Sequence, residues 1–316
     1  MLSFFAALTV AASTPASPAN CQNATAFVGT ICTPRTSAKH PAIILLGGSE
    51  GGNQMASAAP RFASAGYVAA SVAYFGLPGL PQVLEEIPVE TVGKALDAIS
   101  ARADVDPNRI AIFGLSKGGE LALLAASTYP RIRAVVAGVP SPFAWQGIPQ
   151  GPEATNRSSW TVGGKPVSFV PYASAMGASF AAAFGEHKPL DLRVGYDASM
   201  KENAAAIPDA MFHLENIKGP VLLLAADDDH IWNSVAQSEL AMAYLKSHNH
   251  PYNDAYQHFA GAGHIFLFAT PQHAMTQASM GPLTLLLGGT KDANLRAAAQ
   301  AWPEIFSFLS SALSNG

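Results

Sequence analysis

The chain has 316 residues, 49% of them hydrophobic and 13% charged, with a formal net charge of −4 at pH 7. That length builds one large α/β domain, or two modest ones, around a sizeable core. No long basic or acidic run occurs, which argues against a nucleic-acid partner and gives no polybasic patch for a membrane surface.

Residues 2–12 are apolar but too few to span a bilayer, and small residues and prolines follow. Residues 1–19 are therefore expected to be a signal peptide, cut at Ser17-Pro18-Ala19 or Thr14-Pro15-Ala16, although a basic leading segment is missing. The expected address is secreted or periplasmic, with a cytoplasmic chain as the alternative. Cys21 lacks a preceding lipobox, so no lipid anchor is expected. Cys21 and Cys32 are the only cysteines, and an exported chain permits one disulfide between them. Asn23-Ala24-Thr25 and Asn156-Arg157-Ser158 are sequons, relevant only where secreted proteins are glycosylated.

One domain is expected over residues 24–316. Residues 26–34 read as a short strand pair. Residues 41–48 form an apolar run ended by glycines, the pattern of a strand buried on both faces. A helix (59–67), a strand (68–76) and a helix (89–103) follow, then a turn at Asp104-Val105-Asp106-Pro107-Asn108. A buried strand (109–114), a helix (118–127) and two more buried strands (132–140 and 219–227) come next. A helix (234–248), a last strand and loop (253–264) and a long amphipathic helix (292–313) close the chain. Such alternation implies right-handed crossovers and a mostly parallel sheet with helices on both faces. Residues 141–217 break the pattern: rich in Gly, Pro and aromatics, they read as a cap-like insertion over the strand ends, with Trp145, Trp160 and Phe169 as candidate substrate-binding residues.

Gly114-Leu115-Ser116-Lys117-Gly118 fits G-x-S-x-G, with a strand before it and a helix after it. The turn requires small residues two positions either side of the serine, and the helix N-terminus faces developing negative charge. Ser116 is thus the candidate nucleophile of an α/β-hydrolase fold. A serine needs a base, and the base an orienting carboxylate; in this fold they follow in the order Ser, acid, His. His264, in a glycine-rich loop after the last strand, is the expected base. His230 lies too close in sequence to the acids, and His248, His250 and His258 read as solvated. Among Asp227, Asp228 and Asp229, α/β hydrolases place a small residue three positions before the acid; Ala226 favours Asp229, with Asp228 second.

The oxyanion hole requires two backbone donors. Lys117 N–H is one; Gly48 or Ser49, in the Gly-rich loop 47–52, supplies the other. That loop lacks the P-loop Lys-Ser/Thr and G-x-G-x-x-G spacing, and Glu50 would repel phosphate. No metal-ligand spacing or cofactor fingerprint occurs, so neither a metal nor a cofactor is expected.

The strings GLSKGGEL, LLGGSEGG, DDDHIWNS and GAGHI together resemble the C-terminal catalytic domain of acyl-CoA thioesterases and bile acid-CoA:amino acid N-acyltransferases, and more distantly dienelactone hydrolases. The likeness runs from about residue 26 to the end, including LGG at Leu287 and AAQAW near the C-terminus. It implies a Ser116–Asp229–His264 triad and a hydrolytic member, since acyl transfer to amino acids is associated with Cys at the nucleophile. The longer family members carry an N-terminal β-sandwich, which is not expected in this chain. Acyl-CoA is chiefly intracellular, at odds with an export signal. The expected activity is hydrolysis of an acyl thioester through an acyl-enzyme. A secreted carboxylesterase or dienelactone hydrolase-like esterase is the first alternative, and a non-catalytic binding module the second. The expected partner is a small acyl ester or thioester, with no nucleic acid and no stable membrane span.

Overall fold

The computed structural model describes residues 19–148 and 155–314. The expected signal segment thus lies outside the described residues apart from Ala19, as do residues 149–154 of the insertion.

In chain order the first elements are β1 (Asn20–Asn23), β2 (Gly29–Thr33), β3 (His40–Leu46), α1 (Ala59–Ser64), β4 (Val68–Val72), β5 (Ile87–Pro88), α2 (Glu90–Ser100), β6 (Val105–Leu115), α3 (Lys117–Thr128) and β7 (Ile132–Gly138). The middle of the chain forms β8 (Trp160–Val162), β9 (Lys165–Pro166), α4 (Ser174–Glu186), α5 (Leu192–Glu202) and α6 (Ile207–Ala210). Then follow β10 (Val221–Ala226), α7 (Ser234–Ser247), β11 (Ala255–Phe259), β12 (Gln277–Met280), β13 (Leu283–Leu286) and α8 (Lys291–Ala312).

Eight strands form one sheet in the order β1-β2-β4-β3-β6-β7-β10-β11. β2 runs antiparallel to both β1 and β4; every pairing from β4 to β11 is parallel. The buried apolar runs explain this. On β3, Ala42, Ile44 and Leu46 face one layer with α2, α3 and α7, while Ile43 and Leu45 face the other with α1 and α8. Successive side chains of a strand point to opposite faces, so an unbroken apolar run requires cover on both. Each fully buried Ile or Leu contributes about 1.5–3 kcal/mol.

Three local differences from the sequence pattern have physical reasons. The turn expected at Asp104-Val105-Asp106-Pro107-Asn108 is absorbed into β6: Asp106 Oδ1 does accept the Asn108 N–H at 3.0 Å, but the ladder continues past it. His40 pairs with Val105 and Ala42 with Ile110, so the intervening residues form a bulge. The strand pair expected within residues 26–34 instead uses β1 as the partner of β2, ahead of the expected domain start at Ala24, and the Cys21–Cys32 disulfide joins the two strands. The irregular insertion contains two well-formed helices, α4 and α5, and the strands β8 and β9, which form a small sheet with β5 from outside it.

Candidate active site

All the sequence-expected reactive groups fall at the C-terminal ends of parallel strands, where an open α/β sheet gathers its ligand-facing loops. Ser116 sits between β6 and α3 with φ 56° and ψ −124°. A non-glycine residue held in such a region costs about 1–3 kcal/mol. The surroundings offset this: Ser116 N–H donates to Gly138 O at 2.9 Å, and Ser116 O accepts the Glu120 N–H at 3.0 Å. The small flanking residues are a steric necessity. A Cβ on Gly114 would lie 1.9 Å from Gly118 O, and one on Gly118 would lie 2.2 Å from Gly47 O.

His264 Nε2 lies 2.8 Å from Ser116 Oγ, and His264 Nδ1 lies 2.9 Å from both carboxylate oxygens of Asp229. A carboxylate only accepts, so Nδ1 carries the proton and Nε2 is left to accept the Ser116 hydroxyl hydrogen. Asp229 is fully buried, His264 is 4% exposed and Ser116 6%. Asp229 Oδ1 also accepts the N–H groups of Ile231 and Trp232, which holds the carboxylate. Trp232 meets the His264 ring edge-on and donates its indole N–H to Val139 O.

The neighbouring acids are engaged elsewhere. Asp228 accepts the Gly289 N–H and pairs with His230, whose other ring nitrogen faces Asp191. Asp227 pairs with His258. His248 and His258 are exposed, as expected. His250 is not: it is buried, its Nδ1 facing Asp254 and its Nε2 facing Ile217 O, so it pins a loop below the sheet. Asp254 in turn accepts the Val221 N–H at the start of β10, a tertiary contact that loop polarity does not reveal.

Segment 287–289, beyond β13, runs between the acid and the base. Leu287 O accepts the His264 N–H, Gly288 pairs with Asp229, and a Cβ on Gly288 would lie 1.7 Å from Asp228 O. Buried Asn294 of α8 accepts the Gly263 N–H and donates to Met275 O, fixing the base loop further. Only the glycine pair hinted at this role in the sequence.

Lys117 starts α3, so its N–H is among those with no partner inside the helix. Gly47 O, in the loop that carries Gly48 and Ser49, abuts Gly118 in the same turn. The Lys117 side chain turns inward. Its ammonium donates to both Glu120 oxygens at 2.7 Å and to Ser159 Oγ at 2.8 Å. Glu120 also accepts the Trp160 indole N–H and the Trp145 backbone N–H. Burial lowers the Lys117 pKa and raises that of Glu120, each opposed by the charge of the other. A charged pair at i and i+3 inside an apolar helix was the available signal for this contact.

The candidate substrate-binding residues have other surroundings. Trp145 and Trp160 are fully buried, their indole N–H groups committed to Gln237 and Glu120, so neither ring is open to a ligand in this structure. Phe169 is half-buried and lines a surface depression with Pro166, Val167, Ser168, Ala206 and Asp209, a lining that includes none of Ser116, His264 and Asp229. Among the described residues, no three His, Cys, Asp or Glu side chains group to hold a metal, and no helix is long and apolar enough to cross a membrane.

The strand order, the turn at Ser116 and the loops around it define an α/β hydrolase. The chain belongs to the BAAT / acyl-CoA thioester hydrolase C-terminal family, whose model matches residues 87–315. It is 25% identical over 261 residues to the mouse peroxisomal succinyl-coenzyme A thioesterase, covering 82% of this chain and 57% of the mouse protein. It is also 25% identical over 291 residues to human acyl-coenzyme A thioesterase 1, covering 89% of this chain and 62% of the human one. The chain thus spans about three-fifths of the length of these relatives. A Klebsiella pneumoniae protein classed as a dienelactone hydrolase superposes with a TM-score of 0.57 at 14% identity, over 93% of this chain and 99% of that one; this likeness concerns the fold alone.

Proposed function

We propose that this protein hydrolyses an acyl thioester through an acyl-enzyme on Ser116. His264 Nε2 takes the Ser116 hydroxyl proton as Oγ attacks the carbonyl carbon. It then delivers that proton to the leaving thiol or alcohol. Asp229 keeps the ring in the required tautomer and stabilises the imidazolium. Water activated by His264 then attacks the acyl carbon and releases the acid, restoring Ser116. The carbonyl oxygen, as it becomes an oxyanion, takes hydrogen bonds from Lys117 N–H and from Gly48 or Ser49 N–H.

The observation that carries the reading is the continuous Ser116–His264–Asp229 hydrogen-bond chain, 2.8 Å then 2.9 Å, on a strained strand-to-helix turn in a family of thioester hydrolases. Fluorophosphonate labelling tests it: wild type reacts covalently and Ser116→Ala does not. Equal labelling of the variant overturns the reading.

An oxygen-ester substrate is the second reading, favoured by the Cys21–Cys32 disulfide, which suits an oxidising compartment and therefore a secreted or periplasmic address. Parallel assays on acyl-CoA and p-nitrophenyl esters decide between the substrates; thioester turnover absent at every chain length would select the ester. Sequencing the N-terminus of the mature protein from an extracytoplasmic fraction tests the address, and a start near Asn20 is the expected result.

A further inference from the structure

Tyr74 follows β4, is almost completely buried and has no part in the mechanism above. Its hydroxyl donates to Gly47 O at 2.7 Å and to Gly48 O at 2.9 Å, one hydrogen shared between two carbonyls. In a trans peptide the C=O and the following N–H point in opposite directions, and no cis peptide occurs among the described residues. With the Gly47 and Gly48 carbonyls turned to Tyr74, the N–H groups of Gly48 and Ser49 are turned to the opposite side. These are the amides available as oxyanion donors.

Two adjacent glycines have wide backbone freedom, so this orientation needs an outside constraint. The loop after β4 provides it at two further points. Gly52 N–H donates to Phe75 O at 2.9 Å, and Gly76 lies close against Gly51 and Gly52. Tyr74 is itself held by its ring contacts with Phe75 and Trp160, at 5.2 and 5.9 Å between centroids. Trp160 bonds to Glu120, and Glu120 grips Lys117. Burial, with the Glu50 and Glu120 carboxylates nearby, keeps the Tyr74 phenol well above its ordinary pKa, so it remains a donor.

We infer that Tyr74 is a positioning residue of the oxyanion hole: its hydroxyl orients the Gly48 and Ser49 amides, and its packing on Trp160 couples them to the Lys117 amide. This rests on the Ser116 reading and deepens it. The probe is Tyr74→Phe, which removes one oxygen and keeps the ring. The expected result is a kcat lowered about 10- to 100-fold with KM within about twofold, because the amides misalign in the transition state. A trifluoromethyl ketone that forms a tetrahedral oxyanion on Ser116 loses affinity by the same factor. Active-site titration with a fluorophosphonate counts only folded, competent sites, so partial unfolding does not mimic the effect. Wild-type kcat per titrated site with unchanged ketone affinity overturns the role of Tyr74. Failure of wild type to label overturns the Ser116 reading instead, so the two failures are told apart.

Discussion

Two buried acid–base pairs adjoin Ser116, and they are finished differently. Lys117 and Glu120 lie one turn apart on α3, and their bonding is saturated: the ammonium has three acceptors, and the carboxylate accepts from Lys117, Trp145 and Trp160. His264 and Asp229 are 35 residues apart, and the pair is open at one end, where His264 Nε2 faces a hydroxyl rather than a fixed backbone group. Saturation makes the first pair a rivet between the nucleophile helix and the insertion. The open valence makes the second pair able to move a proton. A buried acid–base pair signals reactivity only where a bonding position remains for the substrate's chemistry.

Three variants test the open pair. Ser116→Ala removes the group at the open end; activity is expected to fall by roughly 10⁵-fold or more while the denaturant midpoint stays at the wild-type value. A large loss of stability would mean that Ser116 is part of the packing instead. Asp229→Asn is expected to lower kcat about 10⁴-fold by stabilising the wrong His264 tautomer. Asp228→Asn, whose side chain bonds to Gly289 and His230, is expected to stay within about threefold, since those contacts orient loops rather than the ring. Equal losses from the two asparagine variants would erase the distinction between the acids.

The saturated pair should register in stability first. Lys117→Met strands the Glu120 carboxylate in the interior and is expected to cost about 3–5 kcal/mol in urea unfolding. Lys117→Met with Glu120→Gln leaves no buried charge, and much of that loss should return. A double variant as unstable as the single one would show that packing, not charge, holds this corner. Trp160→Phe deletes one indole N–H to Glu120 and is expected to cost about 1–3 kcal/mol.

The legible parts of the sequence were those in which a local pattern has one physical solution. Apolar runs such as Ile43 to Leu46 demand cover on both faces and so imply a central sheet. Gly114 and Gly118 leave no room for a side chain on either side of Ser116. The order of Ser116, the Asp cluster and His264 followed from the strands that present them. Hidden were the features whose partners are distant in sequence. Polarity put His250 in solvent, whereas Asp254 and Ile217 enclose it. Trp145 and Trp160 read as pocket walls until Glu120 and Gln237 appeared as their partners. The helices of the insertion, α4 and α5, escaped a pattern that lacks regular apolar spacing.

The sequence by itself thus determined the layered architecture, the turn that carries Ser116 and the order of the groups that could act with it, because steric and hydrophobic constraints there operate within a few residues. Only the tertiary structure decided which of three consecutive aspartates meets His264, where the Lys117 side chain goes and that Tyr74 turns the glycine loop. Each depends on hydrogen bonds or contacts between segments far apart in the chain, and directional bonds between distant segments exist only once the sheet has brought them together.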